Sequence, residues 1–174
     1  MTRSLPTPED ASDRKLLTDV ANVGWHVVKV PEADGTPSWC FTVGLQHNFD
    51  HPEFVIFGLP LTIAHVLLNI GGEAVKAGRS FHTDVPYDDF LEGFSCVLRP
   101  VAVRWQQPFL GYARWFYRGA GFAALQVFWP DSHGVMPWGY TADDCIRSSQ
   151  PLLYEPTVEL ARVARRLASM EGSA

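Results

Sequence analysis

The sequence predicts an α+β fold: a mainly antiparallel, curved sheet or small open barrel of five to six strands with flanking helices. Three observations predict it. Residues 39–45 and 53–59 are apolar, strand-like runs joined by a polar loop that holds His47, Asn48, Asp50 and His51. Asp34-Gly35 falls between the run 25–30 and the run 39–45, a hairpin signal that makes these two strands antiparallel neighbours. Helical stretches are interspersed among the strands without the strict alternation of a doubly wound sheet.

Residues 1–6 are expected to form a flexible arm and 7–171 a single globular domain. Thr7 suits an N-cap, with Pro8 at the first helical position and Asp10 at the third. The helix that follows turns Leu16, Leu17, Val20 and Val23 inward and stops at Gly24. In 39–45, Trp39, Phe41, Val43 and Leu45 alternate with Cys40, Thr42 and Gly44, the period of two of a strand with unlike faces. Both faces of 54–59 are apolar, which places that strand centrally.

Residues 61–77 read as a helix with Ile63, Val66, Leu67, Ile70 and Ala74 on one inward stripe and His65 on the solvated side. Gly71-Gly72 interrupts it, at about 1 kcal/mol per glycine relative to alanine. A short strand is expected at 80–84 and a helical turn at 87–92. The strand pattern of 94–105 is divided by Pro100. An aromatic-rich helix follows at 108–118, then the most apolar strand of the second half at 122–129. Thr141 caps a short helix, and 157–170 forms a last amphipathic helix. There Leu160, Val163, Ala164 and Leu167 face inward and Arg162, Arg165 and Arg166 face solvent. Phe41, Val43, Phe54, Ile56, Leu67, Leu125 and Val127 are the predicted core.

A chain of 174 residues, 47% hydrophobic and 19% charged, can bury one sizeable core and is not of disordered composition. A net charge of −5 removes the electrostatic case for nucleic acid and argues against an anionic membrane surface. Cys40, Cys96 and Cys145 are odd in number and far apart, so neither a disulfide framework nor a structural zinc site is expected. The N-terminal residues lack an apolar signal core and no run approaches membrane-spanning length. The expectation is a soluble, cytoplasmic protein.

Two segments concentrate chemistry. In the first, His47 and His51 are four apart, but Asn48-Phe49-Asp50 is turn-like and Pro52 pushes His51 out of helical geometry, so the helical zinc motif fails. No metal site is assigned, although a loop-borne one could draw on Asp131 or His133. The second segment runs from Gln126 and Trp129 through Asp131 and His133 to Trp138 and Tyr140. Aromatic walls with a few convergent polar groups suit a small-molecule pocket. The same residues equally suit a plug of tryptophans closing the end of the sheet. There is no nucleophile elbow, P-loop or dinucleotide fingerprint.

The runs GWHVVKV, W-x-F-T-V-G-L, HPE-x-VIFGLP and A-H-x-L-L-N, with the later LQVFWPD-x-x-G-x-x-PW and QPLL, resemble the bacterial family catalogued as domain of unknown function 4262. The resemblance covers 24–153. It implies a stand-alone cytoplasmic bacterial domain and carries over no catalytic residues. At the level of fold, a hairpin, a strand after a Pro-containing loop and then a helix are similar to the split barrels that bind flavin mononucleotide. That likeness would place a phosphate near Thr42, Ser80, Arg79 and Lys76.

Two functional expectations follow. One is a small-ligand or cofactor-binding domain, with possible enzymatic activity, whose site joins the His47–His51 loop to the 129–140 segment. There Trp129, Trp138 and Tyr140 would contact the ligand, Asn48 and Gln126 would orient it, and His47, His51, Asp131 or His133 would handle protons. The other is a non-catalytic protein-binding module, immunity- or antitoxin-like, whose acidic aromatic surface takes a basic protein partner. The joint site requires the two loops to emerge at the same end of the sheet.

Overall fold

A computed structural model describes residues 5–155 of the chain. Its six strands form one open sheet in the spatial order β1 (His26–Val30), β2 (Trp39–Val43), β3 (Glu53–Phe57), β6 (Ala124–Phe128), β5 (Phe94–Pro100) and β4 (Pro86–Leu91). Neighbours are antiparallel except β3 and β6, which run parallel, so the sheet is mixed. The α+β class stands. The barrel alternative does not, because β1 and β4 are the two edges and do not pair with each other.

The β1–β2 hairpin turns at the predicted Asp34-Gly35. Asp34 and Gly35 both take positive φ, 51° and 72°, and Ala33 bridges Thr36. Two successive left-handed residues match the twist of the flanking strands.

β2 and β3 are buried on both faces. On one face Trp39, Phe41, Val43, Val55 and Phe57 meet Leu16 and Val20 of α1 (Ala11–Asn22). The same layer holds Phe109 of α4 (Gln106–Phe109) and Ala113 and Phe116 of α5 (Gly111–Phe116). On the other face Cys40, Phe54, Ile56 and Val127 meet Ala64, Leu67, Leu68 and Val75 of α3 (Leu61–Lys76), with Phe81, Tyr87 and Phe90 beyond. The two faces of β2 are unlike, as its alternation predicts, and both are covered. Its smaller side is covered by α3, and Thr42 is buried there with its hydroxyl donating to Glu53. All seven predicted core residues are buried, none more than 6% exposed.

Several local expectations change, each for a physical reason. α1 begins at Ala11, because the Asp10 carboxylate accepts from the Asp13 N–H at 2.9 Å and so caps the helix three residues after Thr7. Residues 80–84 form no strand. Residues 87–92 are not a helical turn but belong mostly to β4, where the register with β5 shifts between Tyr87 and Leu91. That irregularity turns Tyr87 and Phe90 to the same side, which imitates helical spacing. The helix expected at 108–118 is two shorter ones, α4 and α5, and α6 (Asp144–Ser149) starts from Asp143 rather than Thr141. The helix expected at 157–170 lies outside the described residues.

The largest correction is the phase of α3. Ile63, Val66 and Ile70 are 43%, 54% and 44% exposed, while Gly71 and Gly72 face the sheet. The glycines set this phase. A Cβ at Gly72 would lie 2.3 Å from the Trp25 ring, and one at Gly71 would lie 2.9 Å from Phe90. The Trp25 indole then donates to Asn69 Oδ1 at 3.0 Å. Asn69 Nδ2 also sits 3.4 Å from the ring nitrogens of His65, which is half-buried rather than solvated.

Gly72→Ala separates propensity from packing. Propensity alone would stabilise the helix by about 1 kcal/mol. Overlap with Trp25 is instead expected to destabilise the protein by about 1–3 kcal/mol in a denaturant titration.

Candidate functional site

The first chemistry-bearing segment folds around Glu53, the first residue of β3. Its carboxylate is fully buried and accepts from Thr42 Oγ1 at 2.7 Å, Gly44 N at 2.9 Å, Gln46 N at 3.2 Å and Leu45 N at 3.3 Å. The Tyr117 hydroxyl donates to it as well. Burial pushes the Glu53 carboxyl upward, and the bonds from Tyr117, Thr42 and the backbone pull it back. The phenol of Tyr117 is pushed up by burial and by the negative charge of Glu53. The loop expected at 44–52 thus contains a short helix, α2 (Leu45–Phe49), whose first N–H groups point at Glu53.

The polar residues around it are mostly engaged in structure. Asn48 Nδ2 donates to the carbonyls of Gly24 at 2.8 Å and Val20 at 3.1 Å, closing the end of α1. Exposed His47 lies edge-on to Phe116, 5.6 Å between centroids. Asp50, at φ 54°, ends α2, so His47 and His51 do not share a helical face. His51 is 6% exposed and packs against Phe54 and Phe81. Its Nδ1 is 2.8 Å from the Pro52 carbonyl, which makes Nδ1–H the donor, and its buried Nε2 has no partner. Burial holds the imidazole below its ordinary value.

The second segment behaves as a plug. Gln126 is fully buried, donating to the Pro151 carbonyl at 2.7 Å and accepting from Leu153 N at 3.1 Å. The Trp129 indole donates to the Phe57 carbonyl at 2.8 Å, and its backbone exchanges two bonds with the Gln150 amide. Trp138 packs on Phe128 and is covered by the Arg99 guanidinium, 3.8 Å from its ring centroid. Tyr140 is 98% exposed. Asp131 Oδ1 accepts from His133 N and Val135 N, each at 2.9 Å. The Val135 and His133 backbone bonds hold its carboxyl below the usual range. Ligand atoms of Asp131, His133 and Asp143 lie within 4.8 Å of one another.

The two segments do not form one site. β2 ends where β3 begins, and β6 runs parallel to β3 with Glu53 opposite Ala124 and Ile56 opposite Val127. Residues 44–52 therefore leave one end of the sheet and 129–140 the other, about 17 Å apart for strands of five residues. The flavin phosphate cradle is not assembled either. Thr42 is fully buried, Arg79 pairs with Asp89, and Lys76 donates to the Val23 carbonyl at 3.0 Å. Burial pushes the Cys40 and Cys96 thiols up to about 11 and about 12, which leaves them un-ionised at neutral pH.

A different concave surface, missed in the sequence, lies between the start of α1 and α5. Its volume is about 450 Å³ and its walls are Glu9, Asp10, Asp13, Gly111, Tyr112 and Trp115. Tyr112 and Trp115 meet edge to face with centroids 6.2 Å apart. Asp13 Oδ2 accepts from Glu9 N at 2.9 Å while Asp10 Oδ1 accepts from Asp13 N at 2.9 Å, so backbone bonds at the helix start fix both side chains. Tyr112 also lines a second hollow of about 240 Å³ along β1, beside Ser12, Leu16, His26 and Lys29. The acidic first turn of α1 was the one legible signal. About a hundred residues separate it from its aromatic partners.

Fold and surface together define an open-sheet α+β domain with both sheet ends closed from within and an acidic, aromatic groove on its flank. The chain belongs to the family described as Domain of unknown function (DUF4262), whose model matches residues 19–143. No curated protein and no solved structure matches it. Tyr112 and Trp115 fall inside the matched range, and Glu9, Asp10 and Asp13 precede it. Among the described residues no helix is long and apolar enough to cross a membrane.

Two outcomes test this description. Tyr117→Phe removes one bond to a buried carboxylate and is expected to cost about 2 kcal/mol by chemical denaturation. His51, depressed by burial, favours its neutral form in the folded state. Its contribution to stability is complete above the unfolded value of 6.5 and is lost as pH falls through the lower folded value. His51→Phe should therefore flatten the stability profile below pH 6.5.

Proposed function

We propose that the chain is a non-catalytic protein-binding module that takes a basic segment of a partner protein in the groove between α1 and α5. The observation that carries this reading is the pairing of Glu9, Asp10 and Asp13 with Tyr112 and Trp115 around one hollow. Arg14 and Arg114, on the same two helices, are not among its walls. A guanidinium or ammonium group lying there meets carboxylates and ring faces together. Exposed ion pairs are worth about 0–1 kcal/mol each and an exposed cation–π contact about 0.5–1 kcal/mol. Several basic side chains are therefore needed. The net charge of −5 favours encounter with a basic partner.

A synthetic peptide rich in arginine and lysine is the probe. Binding by calorimetry should weaken about two- to fivefold in Tyr112→Ala and by up to about tenfold in the pair Glu9→Gln, Asp10→Asn, and should weaken as salt rises. Asn retains the N-cap, so the pair removes charge while keeping α1 capped. Affinity that ignores both changes would reject the groove.

The small-ligand reading keeps one supporting observation, the convergence of Asp131, His133 and Asp143. Two carboxylates and an imidazole suit a divalent cation such as manganese or zinc. On this second reading either ion raises the melting temperature of the native protein, and His133→Ala abolishes the rise.

A further inference from the structure

Three features invite a role beyond those described. The exposed stripe Ile63, Val66 and Ile70 on α3 is apolar and uncovered, but nothing indicates what would cover it. The unpartnered Nε2 of His51 borders no described cavity. The groove between α1 and α5, by contrast, faces a part of this chain whose chemistry complements it.

We infer that residues 156–174 of the chain itself dock in the acidic groove and compete with a basic partner for it. The inference rests on the groove being a site for basic segments, as proposed above. Arg162, Arg165 and Arg166 stand in a stretch whose carboxylate side chains are Glu159 and Glu171. Their guanidinium groups would meet the exposed carboxylates of Glu9 and Asp10, with the buried Asp13 behind them. Arginine also stacks on aromatic faces, as Arg99 does here over Trp138 and Tyr154. Sequence pattern alone assigned these arginines to solvent; the groove offers them an alternative.

The point where the described chain ends favours this occupant. The Glu155 carbonyl accepts from the Trp105 indole at 3.0 Å, and Leu153 is buried in the same layer as Leu16, Phe109 and Ala113. The chain thus leaves on the face of the sheet that carries α1 and α5. Residues 155 to 162, fully extended, span about 24 Å. Trp105 to Tyr112 is an equal number of residues but mostly helical, at about 1.5 Å per residue. Arg162 can therefore reach the groove, with Arg165 and Arg166 just beyond it. Two carboxylates of the far edge are already engaged, Asp89 with Arg79 and Asp88 with Ser95. A tethered segment of this length acts at an effective concentration of order millimolar, enough for weak contacts to fill the groove.

The test uses the full chain and a fluorescent synthetic peptide of residues 156–174, followed by anisotropy. The native protein is compared with one carrying Arg162→Glu, Arg165→Glu and Arg166→Glu together. The milder set Arg162→Gln, Arg165→Gln and Arg166→Gln serves if the first fails to fold by circular dichroism. The altered protein should bind the peptide at least tenfold more tightly than the native one, and adding Tyr112→Ala should remove that gain. Equal affinity for both proteins overturns docking in cis and leaves the groove as a site. A gain that survives Tyr112→Ala overturns it as well, placing the segment elsewhere. If neither protein binds this peptide or an arginine-rich one, the groove reading falls together with the inference.

Discussion

The buried carboxylate of Glu53 is the constraint on which this structure turns. A charge taken out of water costs several kcal/mol unless it is fully hydrogen-bonded. Glu53 meets that demand with Thr42 from β2, the first amides of α2 and the hydroxyl of Tyr117 just beyond α5. Those partners come from two separate stretches of chain, residues 42–46 and Tyr117, so satisfying one side chain fixes the end of β2, the turn into β3 and the seat of α5. Thr42 Oγ1 also accepts from Phe54 N at 2.8 Å, which extends the same network into the β3 backbone. A residue that resembles a catalytic acid by burial and shifted titration serves here as the anchor of one sheet end.

The other end is closed by the same principle with uncharged groups. Gln126 and Gln150 supply amides to backbone groups that the sheet leaves unpaired, and the Trp129 indole takes the Phe57 carbonyl. Open sheets with two covered faces must satisfy polar groups at both strand ends. The conspicuous polar and aromatic residues of 44–53 and 126–138 are largely accounted for by that need.

How much of this was legible follows from the range of each interaction. The core residues were readable because alternation and apolar runs are local, and β3 was placed centrally for the same reason. The phase of α3 was not. Ile63, Val66 and Ile70 outrank Ala64, Gly71 and Gly72 on any hydrophobic scale, while the deciding contact, Trp25 against Gly72, spans 47 positions. β4, expected as a helical turn, is a strand whose irregular register is set by its pairing with β5, which no pattern inside 87–92 encodes. The joint site failed on a single undetermined quantity, the direction of β6 relative to β3. No pattern within either strand encodes that direction, and it alone decides whether two loops share a rim.

The groove illustrates the converse. Its carboxylates read locally as helix-start residues and its aromatics as part of a core helix, so each half had a sufficient structural explanation. Only packing α1 beside α5 on one face of the sheet brings them together. Residues that are indispensable inside leave few unengaged donors and acceptors for chemistry, whereas Glu9, Asp10, Tyr112 and Trp115 retain surface facing outward. Binding at the flank therefore requires no disturbance of the Glu53 network or the Gln126 plug. A chain can thus carry concentrated motifs at both sheet ends and still leave a groove open on a third side. The motifs cap the two ends of the sheet, and the sheet in turn holds α1 and α5 at the separation that makes the groove.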